Sequence, residues 1–276
     1  MAKMELATMD KFEITNPYDG MSEEDIAELK EAMEDLDPEK SIICKSIKIP
    51  NGSSNAFSIE SEEDPEDSDP QKTFEAVIVF THKANAYWET AFGGGDGESS
   101  APTCSAIDAK QGVVFETGEL RQCDGCQFNE FGPDGSGKAC KNMRRLYLRL
   151  SGRPSLYLLT LPPTSMKDVN RQLATIMTTM KIPYSRLVMK FSLKKAESRQ
   201  GIAYNKVVVE KAGMLPKELW PVIDAMNKEI KSQYQSFQIT ADEGAPVAAA
   251  APKVDADGFM PVENSLAGDQ LPWEEA

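Results

Sequence analysis

Apolar positions recur along this chain at two periods, and each period marks a class of element. Between Met21 and Leu36 they fall every three or four residues (Ile26, Leu29, Met33, Leu36), the spacing of one helix face, and Ser22 with Asp25 makes a capping box. That stripe serves packing, with a partner groove as the alternative. From Ser41 to Ile49 the period is two, Ile43, Lys45, Ile47 and Ile49 against Ile42, Cys44, Ser46 and Lys48, and Pro50-Asn51-Gly52 closes the strand. Cys44 reads as a core thiol on it. Phe74 to Phe80 is a β-rich run. Gly93 to Ser100 is a flexible turn, with no following Lys-Ser or Lys-Thr to make a phosphate cradle.

Further on, Leu146–Leu150 and Ser155–Leu161 form strands about a turn at Gly152, and Pro162-Pro163 stops the second. Thr164 or Ser165 then caps a helix to about Met180, with Val169, Leu173, Ile176, Met177 and Met180 on its buried side. Leu187–Lys194 and Ala203–Glu210 pair through a hairpin at Ala196–Gly201. A last helix, Pro216–Tyr234, buries Leu219, Ile223, Met226 and Ile230.

Strands, one helix, then a hairpin is the order of the oligonucleotide-binding (OB) barrel, in which a helix separates the third and fourth strands. The expected class is mainly β with flanking helices (α+β), an OB-like five-stranded barrel with an inserted zinc-binding loop. Residues 1–40 read as an acidic helical segment, 41–235 as the OB-like domain with the loop at 104–140, and 236–276 as a disordered acidic tail. Ser58 to Asp69 holds seven carboxylates and no base, which predicts a solvated, disordered loop. From Ala241 the chain turns to Ala, Pro, Asp, Glu and Gly, ending Asp269-Gln270-Leu271-Pro272-Trp273-Glu274-Glu275-Ala276.

Charge changes the picture. The net −14 argues against nucleic acid, yet residues 104–211 carry 18 basic and 9 acidic side chains, against 8 and 24 before them and 4 and 11 after. A basic block between acidic blocks marks a polyanion site beside acidic arms; chance surface variation is the plain alternative. Without an apolar run of about 18 residues or a secretory start at Met1–Asp10, the expectation is a cytoplasmic protein with no membrane segment.

Four of the five cysteines lie between 104 and 140. Cys104, Cys123, Cys126 and Cys140 are separated by 18, 2 and 13 residues, and the central C-x2-C lets one tight turn supply two thiolates. Zinc favours four such soft ligands in a closed structural site; buried reduced thiols are the alternative. The only histidine, His82, is far off in sequence. Around the last cysteine runs Gly135-Ser136-Gly137-Lys138-Ala139-Cys140-Lys141-Asn142-Met143-Arg144-Arg145-Leu146-Tyr147-Leu148-Arg149, a cationic segment that a bound metal would place rigidly. Tyr147, Tyr157, Phe128 and Phe131 offer stacking faces, core packing being the alternative for each. Lys190, Lys194, Lys195, Arg199, Tyr204 and Lys206 extend the track.

The segment C-x2-C-x2-Asn129-x-Phe131-Gly132, through Gly137-Lys138-Ala139-Cys140-Lys141-Asn142-x-Arg144-Arg145-Leu146-Tyr147, to Leu161-Pro162-Pro163-Thr164-Ser165, resembles phage and mobile-element proteins regarded as single-stranded DNA-binding proteins. The resemblance covers roughly residues 104–235. The end of the chain is similar to the tails of bacterial and phage single-strand binders, a flexible linker and an acidic tip that recruits replication and repair enzymes. It departs from them in having Trp273 after Pro272 instead of Phe, with three residues beyond.

The expectation is a non-enzymatic single-stranded DNA-binding protein that coats DNA in phage replication or recombination, with structural zinc on the four cysteines. Lys141, Arg144, Arg145, Arg149 and Lys190 are expected at phosphates and Tyr147, Phe131 and Tyr204 at bases. Leu271, Pro272 and Trp273 are expected to meet replication or recombination partners, and a homo-oligomer is possible. A zinc-stabilised adaptor that contacts only proteins is the alternative. A nuclease is disfavoured, because Asp108, Glu116, Asp124, Asp134 and Asp168 are scattered rather than clustered for magnesium.

Overall fold

The computed structural model describes residues 12–14, 20–36, 44–50, 54–64, 66–89, 101–132, 137–198, 201, 203–236 and 239. Its elements in chain order are α1 (Glu23–Leu36), β1 (Cys44–Lys48), β2 (Phe57–Glu60), β3 (Ser68–Gln71), β4 (Thr73–Tyr87), β5 (Cys104–Ala106), β6 (Gln111–Val114), β7 (Leu120–Gln122), β8 (Lys141–Leu150), β9 (Leu156–Leu161), α2 (Pro163–Met180), β10 (Leu187–Glu197), β11 (Ala203–Met214) and α3 (Trp220–Gln233). The protein is mainly β with a few helices, as expected. Among the described residues no helix is long and apolar enough to cross a membrane.

The sheet is organised by β4, which runs well beyond the Phe74–Phe80 segment that its sequence advertises. One edge pairs antiparallel with β8; the other pairs with β10 at Thr73–Val77 and with β5 at Asn85–Tyr87. A register shift between Ile78 and Phe80 turns two successive side chains, Val79 and Phe80, to the same core. From β8 the sheet continues through β9, β1, β2 and β3; from β5 it continues through β6 and β7.

Two apolar layers follow from the alternation. On one face Ile78, Leu148, Leu159 and Phe191 pack with Val169 and Leu173 of α2, and Phe74 stacks on Phe191 with ring centroids 4.9 Å apart. On the other, Val77, Val79, Tyr147 and Val188 lie against Ile223 and Ile230 of α3 and against Phe12.

The order of strands, helix and hairpin was legible, but closure is a correction. Among the described ladders none joins β9 to β11, the pairing that completes a five-stranded barrel. The far edge of β9 is taken by β1, in parallel, from Cys44 opposite Leu156 to Ile47 opposite Leu159. The far edge of β11 is satisfied by α2: the Val207 N–H donates to Ser165 Oγ (3.0 Å) and the Val209 N–H to Gln172 Oε1 (3.1 Å). Ser165 is therefore buried and does not cap α2, which starts on Pro163, where a missing N–H costs no helical bond. Lys181 in the left-handed region (φ 55°) ends it.

The acidic stretch is a second correction. Instead of a disordered loop, it forms the β2–β3 hairpin, because its carboxylates meet partners from distant sequence. Glu60 lies 3.6 Å from Lys45 and accepts the Ser46 N–H; Asp69 pairs with Arg153 at 2.8 Å; Glu62 accepts bonds from Ser155 and Tyr157. Self-repulsion is thereby offset locally. At α1 the capping box forms as expected, with the Asp25 N–H on Ser22 Oγ and the Ser22 N–H on Asp25 Oδ2, both at 3.1 Å, while Leu29 of its stripe stays 39% exposed. The Gly93–Ser100 turn and the tail with Leu271, Pro272 and Trp273 lie outside the described residues.

Candidate nucleic-acid interface

Between β4 and β8 the chain makes an arm, residues 104–140, that gathers the four thiols. Strand β5 seats Cys104 opposite Tyr87. The β6–β7 hairpin returns the chain so that the Cys123 N–H donates to Lys110 O (2.7 Å), and Gly125 (φ 71°) supplies the left-handed residue that the C-x2-C turn needs. A single 3₁₀ turn follows, and the Cys140 N–H donates to Phe128 O (2.7 Å). Cys104, Cys123, Cys126 and Cys140 all line one cavity of about 20 Å³, with Asn85, Tyr87, Phe128 and Asn129.

The cavity is tight. A Cβ on Gly112 would stand 2.8 Å from Cys104 Sγ. Burial, reinforced by the neighbouring thiols, pushes the Cys104 thiol up and the Cys140 thiol up to about 12; burial raises Cys123 as well, against a hydrogen bond from Asn85. The donor set is what a structural tetrathiolate site uses. Among the described residues, no group of three or more His, Cys, Asp or Glu side chains is set to hold a metal ion as the side chains stand.

Three asparagines bolt the arm to the sheet. Asn142 on β8 donates to Asn85 Oδ1 on β4 (2.7 Å) and to Asn129 Oδ1 in the arm (2.9 Å), and Asn129 donates onward to Cys123 O (2.8 Å). Tyr87 stacks on Phe128 with centroids 4.2 Å apart. Asn129 and Asn142 stood out in the sequence only as members of a motif, and their mutual contact was not foreseen.

Of the expected contact residues, Phe131 in the arm is open, while Lys141 and Arg144 at the start of β8 are half-buried. Phe131 is 73% exposed, and the Lys138 ammonium lies over its ring, 5.3 Å from the centroid. Lys138 is also held 3.3 Å from Asn129 Oδ1, so ring and cation form one platform. Arg144 is half-buried and donates to Thr81 Oγ1 (3.1 Å); burial pushes its pKa down, as it does for Lys141, whose ammonium sits 4.9 Å above the Trp88 ring. Comparison with protein families, with curated proteins and with solved structures finds no match.

Other expected contacts lie inside. Tyr147 is 0% exposed, packed among Phe80, His82 and the second core, with His82 Nε2 3.3 Å from its hydroxyl. Arg145 and Arg149 are buried at 3% and 1% exposure, and the Arg149 guanidinium bonds the Pro154 carbonyl. None of these three presents a surface to a nucleotide. The reason is that β8 is covered on both faces, so its alternate positions are equally enclosed. Lys190 is exposed but stands across from Glu75 and Glu210, and Tyr204 is half-buried opposite Ala196.

Two basic contacts emerge only from the register. Exposed Lys83 lies directly opposite Arg144, and Lys194 directly opposite Lys206, whose ammonium is 3.3 Å from Asp168. Like charges facing each other across a ladder are destabilising. No sequence signal reveals such pairs without the strand register. Phe115, 69% exposed after β6, was likewise missed.

Proposed function

We propose that the protein binds single-stranded DNA without catalysing a reaction on it, coating exposed strands during phage replication or recombination. The observation that carries this reading is the Phe131–Lys138 platform: a large ring left open to solvent with an ammonium over it. Stacking on an aromatic face with an adjacent cation holds a base without reading its identity. Lys83 and Arg144 add two cations whose mutual repulsion a phosphate would relieve.

The strand order supports the same reading as an open OB-like arrangement. With β4, β8, β9, β10 and β11 as its five strands, the pairings β4–β8, β8–β9, β4–β10 and β10–β11 match that fold, and α2 sits between the third and fourth strands. The cysteine arm then occupies the loop between the first and second strands, and the β10–β11 turn the loop between the fourth and fifth. Those are the two loops that bracket oligonucleotides in OB folds.

Zinc fits the donor set. Cys104, Cys123, Cys126 and Cys140 would hold it, and bound there it supplies a structural cross-link between β5, the C-x2-C turn and the start of β8. The residues of the chain do the rest: the asparagine bolt orients the arm, and Lys138 and Phe131 present the surface. The tail segment Leu271-Pro272-Trp273 belongs to this proposal as the recruiter of replication or recombination proteins, and the cytoplasm as its compartment.

Fluorescence anisotropy with a labelled oligodeoxynucleotide tests the reading. Phe131→Ala removes one stacked base, about 1–3 kcal/mol, and weakens binding by roughly fivefold to somewhat over a hundredfold, while duplex DNA binds less tightly than the single strand. Wild-type protein that ignores the oligonucleotide at low salt, or a variant that binds as well as wild type, refutes it.

A further inference from the structure

Among the described residues the sheet has three ends, and two of them are closed to further pairing. At β3 the outer edge carries Pro70, which has no N–H, beside exposed Asp67 and Asp69. At β11 the edge N–H groups of Val207 and Val209 are taken by Ser165 and Gln172 of α2. The third end, β7, has neither protection. Its three residues are all exposed, and among the described residues nothing but β6 pairs with it.

The apolar side chains beside that edge are exposed too. Leu120 is 60% exposed, Val113 opposite it on β6 is 45%, and Phe115 just beyond is 69%. These three, with Phe131 and Leu29, are the large hydrophobic residues left exposed in the described chain. Their setting is not one for a phosphate backbone, since Glu116 and Glu119 flank them.

We propose that β7 pairs antiparallel with β7 of a second copy of this chain, about a two-fold axis at Leu120. The backbone fixes this register. The Val114 N–H donates to Glu119 O (2.9 Å) and the Cys123 N–H to Lys110 O (2.7 Å), so residues 119, 121 and 123 turn their bonding groups inward. By alternation, the N–H and C=O of Leu120 and the N–H of Gln122 point out of the sheet. With Leu120 opposite Leu120 of the second copy, the two residues exchange both hydrogen bonds. The Gln122 N–H of each copy then reaches the Gly118 carbonyl of the other, whose N–H is already used on Val114 O.

Charge selects a second copy as the occupant. In this register Glu119 of each chain faces Arg121 of the other, and the Glu119–Arg121 pair that each chain now makes alone at 2.9 Å, with both side chains half-exposed, is exchanged across the axis. An edge reading acid, apolar, base is self-complementary only when it meets itself antiparallel. Leu120, Val113 and Phe115 of both copies then form one continuous apolar face, an isologous contact that closes on itself. The proposal does not depend on nucleic-acid binding.

Sedimentation equilibrium of the full chain decides it. Wild type is expected to show a concentration-dependent species of twice the 30.4 kDa chain mass. Leu120→Pro deletes an outward N–H at an edge position where proline is tolerated, and is expected to weaken the dimer at least tenfold with the thermal melt unchanged. Glu119→Lys, which leaves the backbone intact but sets like charges opposite, is expected to weaken it as well. A wild-type protein that stays monomeric up to its solubility limit overturns the proposal. So does a dimer that survives both substitutions at wild-type strength.

Discussion

The two ends of β4 belong to regions held by different forces. At its start Ala76, Val77, Ile78 and Val79 are each 0% exposed, sandwiched between α2 on one side and α3 on the other. At its finish it meets an arm whose strands β5 and β7 are three residues long, and where Val113, Phe115, Leu120 and Phe131 face solvent. The body buries enough apolar surface to fold on that basis. The arm does not, and a segment of this kind needs a cross-link to replace the missing core. Four thiols around one cavity and three asparagines at its root are what the chain provides there.

This contrast predicts separable stabilities. With zinc on the four cysteines as proposed, a chelator is expected to give the largest effect, confined to the arm: structural zinc contributes on the order of 10 kcal/mol to small metal-held units. Hydrogen exchange should then show residues 104–132 losing protection while β4, β8 and β10 keep theirs. Equal loss in both regions would mean that arm and body fold as one unit. Next in size, Leu148→Ala opens a cavity in the body at a fully buried position and costs about 2–5 kcal/mol. Its melting temperature should fall while the metal content of the protein, read by elemental analysis, stays unchanged.

The smallest effect concerns Glu62. Burial pushes its pKa up, but bonds from Ser155 and Tyr157 outweigh this and hold it below the ordinary 4.5. A carboxyl depressed in the folded state stabilises it above 4.5, and that contribution is lost as pH falls through the lowered folded value. Glu62→Gln is therefore expected to cost roughly 1 kcal/mol or less at neutral pH, reduced by solvent access, and to flatten the loss of stability below pH 4.5. Thermal melts of both proteins across that range measure the difference, and parallel curves would show that Glu62 is not the group titrating.

How much could be read from the sequence follows the same division. The body was legible because strands such as Leu156–Leu161 are apolar runs bounded by a glycine turn and by Pro162-Pro163, and helices such as Pro163–Met180 carry a clean stripe. The β2–β3 hairpin was not, since its charge run looks solvated until Lys45 and Arg153 are brought to it. Arm strands of three or four residues fall below what periodicity can register. Tyr147 and Arg149 were misplaced for a subtler reason: alternation shows that two faces exist, but not that α3 covers one and α2 the other. The cysteines were found because their chemistry is carried by residue type and spacing, whereas the like-charge pair Lys83–Arg144 exists only through register.

The most direct test is the affinity of the full-length, metal-loaded protein for a single-stranded oligodeoxynucleotide over a series of salt concentrations, repeated after chelation. The account predicts a logarithm of affinity that falls linearly with the logarithm of salt as counterions are released, and, with zinc on the four cysteines as proposed, a marked loss of binding after chelation. Binding that is absent at low salt, or that is indifferent both to salt and to chelation, would contradict it.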